Sequence, residues 1–229
     1  MSELLENEPV IASTIADTVC SKLQNAIVEG IIPAGSKISE PALANEFGIS
    51  RGPLREALSR LEASNLIERK PNVGARVVTL TRQHLVEIYL IRESLEGLAA
   101  RQAAENMSDK DINELDVLLE KHQQQIKQDQ SYYQKEGDMD FHFRIIKGSK
   151  NSHLIDMFSN DLYHLIRLYR YQFGMVSKRV PRAFVEHGQI VDAIRQHDGE
   201  LAQFLMSRHI RSSRINVEKM LDEHLAITD

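Results

Sequence analysis

Two serines that can each start a helix, with one glycine between them, constrain this chain more than any other feature. Ser39 and Ser50 stand where a short polar side chain can accept from the first free N–H groups of a helix. Gly48, between them, suits the left-handed backbone that ends one helix before the next begins. The spacing predicts a short helix from Ser39 through Glu46, with Pro41 tolerated in its first turn, and a further helix over 51–64. Leu54, Ala57, Leu58 and Leu61 share the inner face of the latter. Upstream, 13–30 reads as an amphipathic helix with Ile15, Val19, Leu23 and Ile27 on one face beside Ala16 and Ala26. Gly30, Pro33 and Gly35 end it. Downstream, 66–69 and 76–80 are short β-like runs joined by the turn-rich Lys70, Pro71, Asn72, Val73, Gly74 and Ala75. Helix, helix, tight turn, helix and hairpin make a winged helix-turn-helix over 13–80, preceded by a flexible tail, 1–12.

From Thr81 the pattern changes to long helical stretches with almost no strand signal. Helices are expected near 82–105, 109–130, 132–147, 152–174, 181–197 and 199–224, with breaks at Ser108, Asn151 and Gly199 and another between Gly174 and Pro181. The expectation is a mainly α chain, with an all-α antiparallel bundle over 81–229. With so little linker near 79–82, reorientation of one domain is felt by the other.

Charge is unevenly placed. The whole chain carries 28 Lys and Arg against 33 Asp and Glu, yet residues 13–80 hold 8 bases and 7 acids, and the acidic excess lies elsewhere. Phosphate responds to the local patch, because charges beyond a Debye length of about 8 Å are screened. Such a distribution is compatible with DNA binding. A single cysteine, Cys20, excludes an intrachain disulfide framework and a thiolate zinc cluster, and suits a reducing cytoplasm. No apolar run approaches the roughly 20 residues of a membrane helix, and the acidic start lacks the basic region of a secretory signal.

A recognition helix presents its first residues to base edges in the major groove, where Arg bonds guanine O6 and N7 in pairs. Arg51 and Arg55, at i and i+4, share the face opposite Leu54, Leu58 and Leu61. Ser50, Gly52 and Pro53 keep the helix start slim enough to approach the DNA backbone, where N–H groups hold phosphate. Lys70, Asn72, Gly74 and Arg76, at the wing tip, reach phosphates or an adjacent minor groove. The competing reading pairs Arg51 and Arg55 with Glu40, Glu46 or Glu56 on an exposed helix.

Among nine histidines, spacing selects three. Asp138 and His142 are i and i+4 and face the same way, while His187 and His209 lie on two later helices. Three helices of a bundle can point these four groups at one interior point, a site suited to Zn²⁺, Ni²⁺, Mn²⁺ or Fe²⁺ with exchangeable positions left for a ligand. Asp140 is a rival ligand, turned to the other side of its helix. His84, His122, His153, His164, His197 and His224 have no convergent partners and are read as surface or internally bonded side chains. Arg92, among residues suited to burial, needs an anionic partner: a protein carboxylate, or the carboxylate of an effector. Tyr163 and Arg167 are weaker candidates for the same pocket.

The run Ser39-Glu40, Leu43-Ala44, Phe47-Gly48-Ile49-Ser50-Arg51, Pro53-Leu54-Arg55-Glu56-Ala57-Leu58, Leu61, Leu66-Ile67, Pro71, Gly74 and Val77 resembles the N-terminal domain of GntR-type bacterial repressors. The helical remainder resembles the FadR-type ligand domain (FCD), in its six-helix, VanR-like form. The resemblance implies base contacts from Arg51 and Arg55, groove contacts near Asn72 and Gly74, and metal ligation by Asp138, His142, His187 and His209. It also implies an effector clamp at Arg92. Pro41 departs from it, standing where many members carry a DNA-contacting Arg, and Asn65 stands where Gly is usual.

The expected function is therefore a cytoplasmic, metabolite-responsive transcriptional regulator, a repressor and not an enzyme. It binds a pseudo-palindromic double-stranded operator as a homodimer and is released by a small carboxylate at a divalent transition metal. The rivals are an all-α metal-dependent hydrolase or lyase, which a turnover assay with a chelator control discriminates, and a regulator whose metal is purely structural.

Overall fold

In the computed structural model the described residues are 14–70, 73–129, 137–173 and 179–228, without the side chains of 125–129, 137–140, 160–161, 173 and 224–228. Helix α1 (Ile15–Val28) opens with a capping box in which the Thr14 hydroxyl and the Asp17 carboxylate each accept from the other's backbone N–H. Its buried face is Ala16, Val19, Cys20, Leu23, Ile27 and Val28; Ile15, expected inside, is exposed at the first position of the helix. Helix α2 (Glu40–Phe47) is capped by Ser39 and ends at Gly48, whose φ of 62° is the left-handed value that glycine tolerates. Helix α3 (Arg51–Ala63) buries Leu54, Ala57, Leu58 and Leu61 against α1 and ends before Asn65. With φ at 56°, Asn65 occupies the left-handed region that asparagine enters more readily than most residues, so it serves where glycine is usual. Strands β1 (Ile67–Lys70) and β2 (Gly74–Val77) pair antiparallel with Ile67 opposite Val77, which shortens and shifts the expected wing.

Beyond the wing, the 25-residue helix α4 (Arg82–Asn106), capped by Thr81, packs along α10 (Gly199–Thr228). Between them in sequence come α5 (Asp109–Asp129), α6 (Gly137–Gly148), α7 (Ser152–Met157), α8 (Tyr163–Phe173) and α9 (Val180–Arg195). One expectation is corrected. The helix expected to run unbroken from 152 is interrupted by a π-helical turn, Phe158–Leu162, which hydrogen bonding in the local sequence does not announce. α8 leaves that turn and lies against α1.

Two contacts tie α8 to the N-terminal unit, and a third ties it to the start of α4. Gln24 Nε2 and His164 Nε2 are 3.1 Å apart, and the Arg167 guanidinium donates to Asn25 Oδ1 at 3.4 and 3.5 Å. The Tyr169 hydroxyl accepts from Thr81 N–H at 3.3 Å and donates to Thr81 O at 3.1 Å, pinning the start of α4. Tyr169→Phe removes both bonds without changing shape, and is expected to lower stability by about 1 kcal/mol in a denaturant titration.

Candidate metal centre and DNA-reading face

Three helices deliver one imidazole each to the interior of the helical unit. His142 from α6, His187 from α9 and His209 from α10 are all buried, and their ring nitrogens lie within 4.8 Å of one another. His187 Nε2 is 3.2 Å from His209 Nε2, while the His142 and His209 rings stack with centroids 5.2 Å apart. Two imidazolium ions could not share that space. Burial holds the His187 and His209 pKa values well below the usual range, and the neighbouring imidazole and guanidinium charges push the same way. Both effects favour the neutral ring, which keeps a lone pair for a metal. A desolvated cluster of three imidazoles fits a borderline divalent ion. Asp138, also on α6 one turn before His142, has its side chain outside the described residues.

Two of the three rings have their Nδ1 against a carboxylate. His142 Nδ1 lies 2.7 Å from Glu96 Oε2, and His209 Nδ1 lies 2.8 Å from Glu186 Oε2. Neither glutamate was singled out in the sequence, although Glu186 adjoins His187 and Glu96 is one turn beyond Arg92. Arg92 is 1 % exposed, donates through Nε to Glu96 Oε1 at 2.6 Å and sits over the Tyr89 ring. Of the two partners open to Arg92, the protein carboxylate is therefore present. Its Nη1 and the Tyr89 hydroxyl are nonetheless buried without a hydrogen-bond partner among the described residues. Burial works against the Glu96 carboxylate, but Arg92 and His142 outweigh it and hold its pKa well below the usual carboxylate range.

The other effector candidates lie elsewhere. Arg167 is turned to Asn25 of α1, and the half-buried Tyr163 ring packs beside Phe143 at 5.7 Å. Arg170 and Arg179, which the sequence did not single out, are the guanidinium groups whose charge reaches His187 and His209. Among the remaining histidines, His153 is exposed, His197 Nδ1 meets Ala104 O at 2.7 Å and His84 is edge-on to Tyr169. His224's side chain lies outside the described residues. Burial pushes His122 and His164 down to about 4, with Arg167 adding to the effect at His164.

A folded-state pKa below that of the unfolded chain stabilises above the unfolded value. That contribution is lost as pH falls, because the unfolded state takes up the proton first. Thermal melting of metal-stripped protein is expected to drop between about pH 6.5 and 4. His164→Gln should flatten that slope.

On the N-terminal unit, Arg51 and Gly52 are exposed at the start of α3 and Pro53 is half-buried. Arg51 takes no ion pair among the described residues. Ser50 occupies the N-cap position, but its hydroxyl makes no capping bond, a departure from the expected role. Arg55 Nε donates to Glu40 Oε2 at 3.0 Å, as the competing reading held. That side chain is 63 % exposed, and such surface pairs contribute about 0–1 kcal/mol, so Arg55 exchanges partners easily. Lys70 pairs with Glu68 at 2.8 Å, and Gly74 has φ of 88° at the exposed wing tip. Asn72 lies outside the described residues.

Arg76 is half-buried and donates through Nη1 to Gly35 O at 2.9 Å, tying the wing to the turn after α1. Lys37 was missed: it bridges to Arg76 through the backbone, is exposed, and places Cε 4.0 Å from where a side chain on Gly74 would begin. Its position beside the wing is set by chain return, which no local pattern signals.

Comparison with known proteins places both units. Residues 15–77 match the model of bacterial regulatory proteins of the gntR family, and residues 87–212 match the FCD domain. The chain belongs to the GntR family of bacterial transcriptional regulators and carries an FCD domain. It is 31% identical over 192 residues to the gluconate operon transcriptional repressor of Bacillus subtilis, covering 80% of this chain and 76% of that one. A probable D-xylose utilization operon transcriptional repressor of Paenarthrobacter nicotinovorans is 29% identical over 200 residues, 86% of each chain. Among solved structures, E. coli McbR/YncC matches with a TM-score of 0.75 at 24% identity, over 90% of this chain and 98% of that one. Helix-turn-helix regulators of this family bind DNA operators, and no described helix is long and apolar enough to cross a membrane.

Proposed function

We propose that this regulator is a homodimeric repressor whose DNA-reading unit, 13–80, is released from a pseudo-palindromic operator when the helical unit, 81–229, binds a small carboxylate at a divalent metal. The observation that carries this reading is the buried cluster of His142, His187 and His209 beside Arg92, whose Nη1 has no hydrogen-bond partner among the described residues. His142, His187 and His209, joined by Asp138, would hold the metal, and the ion would supply open coordination positions for a carboxylate oxygen. Arg92 Nη1 supplies a fixed donor for the other oxygen. Arg51 and Arg55 read base edges, with Ser50, Gly52 and Pro53 allowing close approach, and Lys70, Asn72 and Gly74 reach the backbone from the wing.

Exposed Leu90 and Ile91 on α4, and exposed Phe204 and Ile215 on α10, which packs along it, offer apolar surface for the two-fold contact. The carboxylate acts by binding the operator-incompetent arrangement more tightly, a difference commonly worth about 1–3 kcal/mol.

The test measures operator affinity in metal-loaded and chelator-stripped protein against a panel of small carboxylates. Release that requires both metal and one carboxylate supports the reading. A stripped protein that responds equally would remove the metal from it, and a stripped protein that unfolds would make the metal structural.

A further inference from the structure

Two chains of contacts with the same chemical order converge on the histidine cluster. On α4, Arg92 Nε donates to Glu96 Oε1 at 2.6 Å, and the other oxygen of Glu96 lies 2.7 Å from His142 Nδ1. At α9, Arg179 Nη2 donates to Glu186 Oε2 at 2.5 Å, and that oxygen lies 2.8 Å from His209 Nδ1. Arg179 Nη2 also donates to His209 O at 3.2 Å, so one guanidinium holds both the residue and its carboxylate. Arg92, Glu96, His142, Glu186 and His209 are all buried.

A neutral imidazole has one bare nitrogen, and which nitrogen is bare decides whether the ring can bind a metal from a given side. A carboxylate facing Nδ1 keeps the proton there and leaves the lone pair on Nε2. In both chains it is Nδ1 that meets the glutamate, and Nε2 of His209 faces the third ring at 3.2 Å. A buried carboxylate needs a counter-charge to remain ionised, and each glutamate has its arginine.

We infer that Glu96 and Glu186 are positioning residues that hold His142 and His209 with Nδ1 protonated and Nε2 turned inward, and that Arg92 and Arg179 fix those carboxylates in turn. The inference rests on the metal reading above. It gives Arg92 two tasks on one guanidinium: Nε anchors the carboxylate behind His142, while Nη1 has no hydrogen-bond partner among the described residues. An effector oxygen arriving at Nη1 draws on the charge that steadies a metal ligand, so effector and metal affinities are linked through this residue.

The test uses the full chain with Glu186→Gln and Glu96→Gln, which keep side-chain volume, and Arg182→Ala as control. Arg182 Nε also meets Glu186, at 3.2 Å, but Arg182 is 77 % exposed. Zn²⁺ affinity is measured by chelator competition, and the protonated ring nitrogen of each histidine by ¹⁵N NMR on stripped protein. Each glutamine variant is expected to bind Zn²⁺ about 10- to 100-fold more weakly. The Arg182 variant should change by no more than about twofold. In the parent, His142 and His209 should carry the proton on Nδ1, and each variant should lose that preference at its own histidine alone.

Unchanged Zn²⁺ affinity in both glutamine variants overturns the inference, as does an Nε2–H form of His142 and His209 in the parent. If the parent held no Zn²⁺, the metal reading would fall while the NMR measurement still decided the positioning roles. If Glu96→Gln failed to fold, Glu186→Gln at the less enclosed carboxylate would decide.

Discussion

Replacing His187 by alanine is expected to empty the proposed metal centre while leaving operator binding in the absence of effector close to that of the parent. The ring is buried and Nε2 already stands 3.2 Å from His209 Nε2, so truncation removes one of three converging donors. Loss of a direct ligand should exceed the 10- to 100-fold typical of outer partners, which puts the fall in metal affinity above about 100-fold. The lost aromatic contact with Phe141, centroids 4.2 Å apart, adds a packing cost that melting will register separately. Elemental analysis should find about one metal per chain in the parent and little in the variant. Carboxylate-induced release should disappear with it. A variant that retained both metal and response would reject the site.

Arg51→Ala is expected to cut operator affinity by about 10- to 100-fold, the span of one paired contact to a guanine. The side chain is exposed, with no ion pair among the described residues, at the start of a helix that packs through its other face. Stability should therefore stay within about 0.5 kcal/mol of the parent. The readout is a titration against operator and scrambled duplex, in which discrimination between the two should fall more than binding to the scrambled one. Equal losses on both sequences would make Arg51 a phosphate contact. Arg55→Ala should show a smaller loss, since its pairing with Glu40 has to be given up on binding.

The DNA-reading unit is legible in the sequence because its determinants are local. Serine caps, the glycine between two helices and the 3.6-residue spacing of Leu54, Leu58 and Leu61 each act within one or two turns. The histidines were legible for another reason: few residue types bind transition metals, so three on three helices leave few arrangements. What escaped depends on return of the chain. The hydrogen bond from Arg76 to the turn at Gly35 is one such contact, which the pattern of its own strand does not announce. Glu96 and Glu186 look like ordinary helix charges until α6 and α10 bring His142 and His209 to them.

The π-helical turn Phe158–Leu162 carries a consequence for insertions and deletions. It accommodates one residue more than an α-helical path of the same span, and everything on α8 is phased after it. Each residue of an α-helix adds about 100° of rotation. A single-residue deletion there is thus absorbed by conversion of the turn to α-helix and keeps His164 and Arg167 against Gln24 and Asn25, whereas a further insertion would swing them away by about a quarter turn. Length in this short stretch is therefore constrained in one direction: losing one residue leaves the face of α8 that meets the DNA-reading unit unchanged, and gaining one alters it.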